Sequence, residues 1–433
     1  MRDAQQKEVK FACEAGVFHH LTKYQGEQDD LEVEKMLQIS RRAAQIAPSA
    51  TLAIDTRAKA LKAEGKDVVG FGAGEPDFDT PEYVRAAAHR AIDEGRTRYT
   101  PVPGTLSLRK TIAEKFLKDN GLAYDVSQII VSSGAKQSLF TALSVLVNDG
   151  DEVLIPSPYW VSYPEMVKMV GGVPVFVPCH HEDGFIVRPE EIAKRVTDKT
   201  KVLILNSPSN PLGCVLPRET LEQIAALAVE KQFYVISDEI YEKLIYDGCE
   251  HVSIASLGEK IKEQTVVVNG ASKAYAMTGW RIGYAAGPAN IIKAMSAFQS
   301  HAASNANSIA QYATEAALSG DGKEVAGMVH AFDERRKLMC RLINEVPGLS
   351  ADLPHGAFYM MMDLRALLGK RCEGTVIDSS NTFASLLLEK QCVAVVPGEA
   401  FGAPGFARLS YAVGEDKIRE GVRRMAEFVA SLT

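Results

Sequence analysis

Seven short apolar runs rich in valine and isoleucine follow one another from about residue 128 onward: "QIIVSS", "DEVLIP", "VPVFVP", "KVLILN", "FYVIS", "TVVVNG" and "RIGYAAG". Each leads into a turn and then a helix-like stretch. A strand with one wet face would alternate apolar and polar residues. These runs do not alternate, so both of their faces must be covered, as happens in a mostly parallel sheet flanked by helices. The expected fold class is α/β, with a mostly parallel seven-stranded sheet in a large domain.

Helical spacing surrounds that region. "SATLAIDTRAKALKAEG" is expected to end at Gly65. In "TPEYVRAAAHRAIDEG" Thr80 is expected to cap a helix whose first turn holds Pro81 and which closes at Gly95. The stretch from "NANSIAQYATEAALSG" to "RRKLMCRLINEV" reads as long and helical, leading to a C-terminal part with "GAFYMMMDL" and "ARLSYAV". The expected division is an extension of unknown role over 1–36, a smaller α+β domain built from 37–80 and 326–433, and the large domain over 81–325.

Composition narrows the function classes. With 46% hydrophobic and 24% charged residues the chain is of the soluble globular kind, and no apolar run reaches membrane-spanning length. A formal charge of -7, without a Lys/Arg block, argues against nucleic-acid binding. The seven cysteines are scattered with no C-x-x-C pair, and the N-terminal residues read as neither signal nor transit peptide, so a cytoplasmic setting is expected. His19 and His20 are adjacent but lack further ligands, and no metal site is expected.

Function enters where the strands end. In open α/β sheets ligands collect at the carboxyl ends of the strands. Four exits are polar: "SSGAKQ", "NSPSNPLG", "SDEIY" and "NGASK". The glycine turn at Gly134 opens a helix whose first N–H groups, at Ala135 and Lys136, can hold an anion; Ser272 and the permanent cation Arg281 suit a phosphate. Asp238 closes a buried strand and needs a cationic partner, for which a protonated pyridine nitrogen is suited. Asn210 and Tyr241 can bond a phenolic oxygen on the same ring, and Trp160 can stack on it. Lys273 has no acidic residue anywhere in "NGASKAYAMTGWRIGY", so its amine is easier to deprotonate and can condense with an aldehyde. Taken singly, each has a plainer role as cap, surface cation or core aromatic. Together they match the groups of one cofactor, pyridoxal 5'-phosphate.

Ten motifs in order, "AGEPDFDTP", "RYTPVPGTLSLR", "SGAKQ", "PYWVSYPEM", "NSPSNPLG", "SDEIYE", "SKAYAMTGWRIGY", "GAFY", "VVPGEAFG" and "RLSYA", resemble those of the class I aminotransferases of fold type I, in the aspartate or prephenate aminotransferase branch. The resemblance implies a fold type I transferase that moves the amino group of aspartate or glutamate to 2-oxoglutarate, oxaloacetate or prephenate by a ping-pong mechanism. It implies Lys273 as the Schiff-base lysine, Asp238 as the pyridinium partner, and Asn210 and Tyr241 at the phenolate oxygen. Trp160 would stack on the ring, with Ser272, Arg281 and the backbone of Ala135 and Lys136 at the phosphate. Tyr99 would reach the phosphate of a neighbouring subunit, making a homodimer with shared active sites. Arg408 would clamp the substrate's α-carboxylate, assisted by Gly74 and Asn210; Lys136 would meet a second carboxylate, and Thr51 would lie near the substrate. One departure stands out: relatives often carry lysine where this chain has Ala47, removing one cation for that second carboxylate. The competing functions are a carbon–sulfur lyase or decarboxylase on the same scaffold, which needs no oxo-acid acceptor, and a non-catalytic regulator that binds the cofactor.

Overall fold

The computed structural model describes residues Ile39–Pro48 and Ala50–Thr433, and Arg41–Thr433 forms one compact unit. The expectations about the N-terminal extension, including His19 and His20, lie outside the described residues. All seven apolar runs are strands of one sheet: β1 (Ile129–Ser132), β2 (Glu152–Ser157), β3 (Val173–Pro178), β4 (Thr200–Asn206), β5 (Tyr234–Asp238), β6 (Thr265–Gly270) and β7 (Gly283–Ala286). Their spatial order is β1-β7-β6-β5-β4-β2-β3, and only β7 runs against the rest.

The non-alternating runs now have their reason. Val202 and Ile204 of β4 pack on one face with Ile130, Ile236 and Val266, while Leu203 and Leu205 pack on the other with Leu154 and Val235. Both faces carry helices, so every position of a central strand needs an apolar side chain.

The reversed β7 matters for chemistry. The other strands end at one edge of the sheet, and β7 begins there: its first residue, Gly283, pairs with both Gly270 and Ser132. Arg281, two residues upstream, is thereby delivered beside the exit of β1. The approach is tight enough to demand glycine, since a Cβ on Gly283 would collide with the backbone of Gly134 and Ala135.

A separate four-stranded sheet contains Tyr359–Asp363 at its centre, antiparallel to Phe406–Ser410. Helices Lys323–Asn344 and Glu415–Ala430 supply apolar residues to the core around it. We propose that the division at about 80 and 326 separates this layer from the large sheet, a reading supported by the two distinct sheets.

Two local expectations are corrected. Thr80 does not cap the helix Glu82–Asp93, whose N-cap position is Pro81. Its hydroxyl instead donates to the carbonyl of Ala276 (2.7 Å) and accepts from the indole N–H of Trp280 (2.9 Å), because these distant, partly buried groups pack against it and need partners. The long helical stretch is two helices, Ser308–Ser319 and Lys323–Asn344. Gly322, at φ +81°, makes the left-handed turn that separates them.

Candidate active site

The polar strand exits do meet. They line a cleft with a cavity volume of about 450 Å³, whose wall includes Ala135, Lys136, Trp160, Asn210, Asp238, Tyr241, Ser272, Lys273, Arg281 and Arg408. Register explains part of this: Asn206 and Asp238, the last residues of β4 and β5, pair with each other, and Asp238 also pairs with Val268 of β6, which runs two residues further to Gly270 before the turn that holds Lys273.

Lys273 reaches across the cleft and donates to the carbonyl of Gly74, with its ammonium 5.8 Å from the ring of Tyr241. Burial pushes its amine down to about 8. The neighbouring cations Arg408 and Arg281 push the same way, while Glu75 and Asp238 oppose. The stretch around Lys273 holds no acid, but the fold brings Glu75 to the same cleft, where its carboxylate accepts from the Thr278 hydroxyl at 2.8 Å. The amine is therefore tuned by a near balance that local sequence does not show.

Asp238 is 4% exposed and accepts from the Tyr163 hydroxyl (2.7 Å) and the Ile240 N–H (3.3 Å). Burial pushes its carboxyl up to about 6, further than those hydrogen bonds pull it down. Between pH 4 and 6 the folded chain thus keeps a proton that the unfolded chain, with a pKa near 3.9, has lost. Stability of the cofactor-free chain consequently falls as pH rises through that window, by on the order of 3 kcal/mol by pH 7. Asp238→Asn keeps an acceptor for Tyr163 and removes that cost. The substitution is expected to raise cofactor-free stability at pH 7 by up to about 3 kcal/mol, with the gain vanishing towards pH 4. Urea unfolding at both pH values checks it; an equal change at the two would contradict this account.

At the exit of β1, Gly134 takes φ +86° and begins the helix Ala135–Leu146, whose first N–H groups lack intrahelical acceptors. A Cβ on Gly134 would collide with the guanidinium of Arg281, which donates to the carbonyl of Thr278 at 2.9 Å. Arg281 itself sits at φ +57°, a conformation that costs a non-glycine residue energy and aims its side chain back over the turn. With buried Ser272 on the wall, the donor set is that of an anion cup.

Arg408 is the deepest cation of the cleft, 2% exposed. It donates to Asn210 Oδ1 (3.0 Å) and the carbonyl of Gly72 (2.8 Å), and lies over the rings of Tyr359 (4.5 Å) and Phe401 (5.0 Å). Its Nε has no partner, and among the described residues no carboxylate pairs with it. A buried guanidinium without a counter-ion is costly, and an anionic ligand relieves that cost. Because Asn210 spends its carbonyl on Arg408, its amide N–H groups are left for another acceptor.

Trp160 sits edge-on to Tyr163, ring centres 5.3 Å apart, and the Lys136 ammonium lies 4.8 Å from its ring centre. Burial lowers the Lys136 pKa, and Arg281 adds to it. Gly74 lines the cleft, where a Cβ would press on the Tyr359 hydroxyl at 3.1 Å. Tyr99 is not in the cleft of its own chain: it is 91% exposed. Thr51 belongs to the helix Ala50–Ala63, and its side chain lies outside the described residues.

Among the cleft residues that sequence reasoning did not single out are Tyr163, Tyr359, Glu75 and Lys59. The tyrosines stand inside quoted motifs, but only the fold shows Tyr163 bonding Asp238 and the hydroxyls of Tyr359 and Tyr241 meeting at 2.9 Å. Lys59 comes from the N-terminal helix and had no linear signal.

The family model for aminotransferase class I and II matches residues 66–425. Aspartate aminotransferase of Bacillus subtilis (strain 168) is 46% identical over 393 residues, covering 91% of this chain and 99% of that protein. Aspartate/prephenate aminotransferase of Cereibacter sphaeroides is 45% identical over 397 residues, again 91% and 99%. Among solved structures, aspartate aminotransferase from Thermus thermophilus with maleate matches with a TM-score of 0.86 at 45% identity, covering 90% of this chain and all of that one. The Rhizobium meliloti enzyme matches with a TM-score of 0.89 at 43% identity, covering 92% and 100%. With the polar exits of one sheet converging on Lys273 and residues 66–425 matched by the family model, this chain belongs to the class I and II aminotransferases.

Proposed function

We propose that the protein is a pyridoxal phosphate-dependent aminotransferase that takes the amino group of a dicarboxylic amino acid, aspartate or glutamate, and gives it to a 2-oxo acid in a ping-pong sequence. The observation that carries the reading is Arg408, buried without a carboxylate partner in the cleft that holds Lys273. The donor set fits the cofactor: an anion cup at Gly134, Ser272 and Arg281, a buried carboxylate at Asp238, and a lowered amine at Lys273. When bound, that cofactor supplies an aldehyde for amines and a ring that accepts electrons from the substrate's α carbon. Asp238, held by Tyr163, would pair with the ring nitrogen and favour its protonated form. Asn210 and Tyr241 would hold the ring through its phenolic oxygen, and Trp160 would lie against it. Lys273, with an amine near 8, holds and returns the proton at the α carbon. Arg408 receives the α-carboxylate through its planar fork, which fixes that carbon relative to Lys273.

Two further cations of the cleft, Lys136 and Lys59, are suited to a second carboxylate and offset the lysine missing at Ala47. The Thermus thermophilus enzyme is described with maleate, itself a dicarboxylate. Prephenate, named for the Cereibacter sphaeroides relative, is a second acceptor to try. Tyr99, exposed on its own chain, is the residue that a second copy would cover in a homodimer with shared sites, in a cytoplasmic setting.

Half-reactions of the purified holoenzyme with a panel of amino and 2-oxo acids test the reading. Turnover is expected only with an acceptor present; ammonia or carbon dioxide released from a single substrate would establish a lyase or decarboxylase instead. Lys136→Ala is expected to lower kcat/KM for aspartate by roughly 10- to 100-fold, the worth of a charged hydrogen bond, and to leave alanine within about threefold. Equal losses for both would remove Lys136 from the distal pocket.

A further inference from the structure

The turn that follows β5 reads Asp238-Glu239-Ile240-Tyr241-Glu242 and has two faces. Asp238 and Tyr241 line the cleft; Glu239 and Glu242 do not, yet they are 1% and 8% exposed. Two carboxylates buried this close demand counter-charge and donors. Glu239 Oε1 accepts from the hydroxyls of Ser237 (2.8 Å) and Ser253 (2.7 Å), and Oε2 is 3.0 Å from His251 Nε2. Glu242 Oε1 pairs with the ammonium of Lys115, and Oε2 accepts from the Asn120 amide at 3.0 Å. Every carboxylate oxygen is thus engaged. The three residues Glu239, Glu242 and His251 are close enough to hold a metal ion, but an ammonium and three further donors already fill that place.

We propose that His251 is a positioning residue for the active site: bonded to Glu239, it locks the 238–242 turn and offsets the negative charge that Glu239 sets beside Asp238. The proposal rests on the reading of Asp238 as the partner of the cofactor's ring nitrogen. Glu239 opposes ionisation of Asp238 and is the charge nearest it in sequence. A positive imidazolium on Glu239 cancels that influence. Burial disfavours the charged imidazole, but Glu239 and then Glu242 outweigh it, with Lys115 acting against them, so the net shift is upward. The imidazolium therefore persists to a higher pH than a free histidine would allow, and its shielding is lost above that point. The other charges around the cluster are Asp119, 2.8 Å from Lys243 and 3.9 Å from Lys115. Tyr124, whose hydroxyl lacks a partner, also feels Glu239.

The test uses His251→Gln, which keeps a hydrogen-bond donor and removes the charge, together with Glu239→Gln/His251→Gln. Pyridoxal phosphate is titrated into cofactor-free protein from about pH 5 to about pH 8, followed by tryptophan fluorescence. Asp238 must be ionised to hold the cofactor, so binding weakens as pH falls through its pKa. In His251→Gln the unshielded Glu239 raises that pKa. The variant is expected to bind roughly tenfold more weakly near pH 6, with its acid limb moved up by about one pH unit. The double variant, lacking the offending charge, is expected to return the limb to its wild-type place. A limb that does not move in His251→Gln, or that stays displaced in the double variant, overturns the proposal. A melting temperature raised by added zinc ion in wild type but not in His251→Gln overturns it too, in favour of a metal site. Wild-type protein that fails to bind pyridoxal phosphate would sink the functional reading on which this one stands.

Discussion

Lys273→Ala is expected to lower kcat by at least about 10⁴-fold, the upper end of what a positioned proton carrier contributes. The same substitution is expected to leave cofactor affinity within roughly tenfold, because the anion cup at Gly134, Ser272 and Arg281 does not depend on that amine and Lys273 is the last of the influences on the Asp238 carboxyl, behind burial and its two hydrogen bonds. The cofactor's visible absorbance should change in the variant, since no protein amine remains to condense with its aldehyde. Equilibrium dialysis, single-turnover kinetics and absorbance on one preparation separate these effects. Retained turnover in fully loaded protein would remove Lys273 from the chemistry; lost binding with intact turnover per bound cofactor would make it a binding residue only.

Arg408→Lys carries the second large effect. Charge is kept, but a lysine cannot donate to Asn210, to Gly72 and to a carboxylate in one plane, and it does not stack on Tyr359 as guanidinium does. The expected loss in kcat/KM is on the order of 10²- to 10³-fold, equivalent to about 3–4 kcal/mol. It should be shared by aspartate and alanine, because both present an α-carboxylate, whereas Lys136→Ala discriminates between them. Cofactor affinity should stay within about threefold. A loss confined to aspartate would exchange the two assignments.

Much of the architecture was legible because burial on both faces is written directly into composition. Val202 to Leu205 are all apolar, and that pattern has few homes besides a central strand. The exits were legible for a related reason: polar residues directly after such a strand have only the sheet edge to occupy. Lys273, Asp238 and Asn210 were found this way, Arg281 was singled out as a permanent cation suited to a phosphate, and the cleft contains all four. Thr80 misled because capping is a local preference, and two partly buried groups far along the chain, on Ala276 and Trp280, made a stronger claim on its hydroxyl. Tyr163 and Tyr359 carried no linear signal for their bonds to Asp238 and Tyr241, which join residues 75 and 118 positions apart.

The succession of strands and the sheet-edge location of the polar residues were legible in the sequence alone, and Lys273 stood out there, since each reading follows from the apolar pattern or from a single side chain's chemistry. The tertiary structure decided how those groups behave. Only the fold brings Glu75 and Arg408, both from outside the seven-stranded sheet, near Lys273, and only the reversed β7 carries Arg281 to the turn at Gly134. Protonation is a property of distance and burial in three dimensions, so an amine near 8 and a carboxyl near 6 could be read nowhere else.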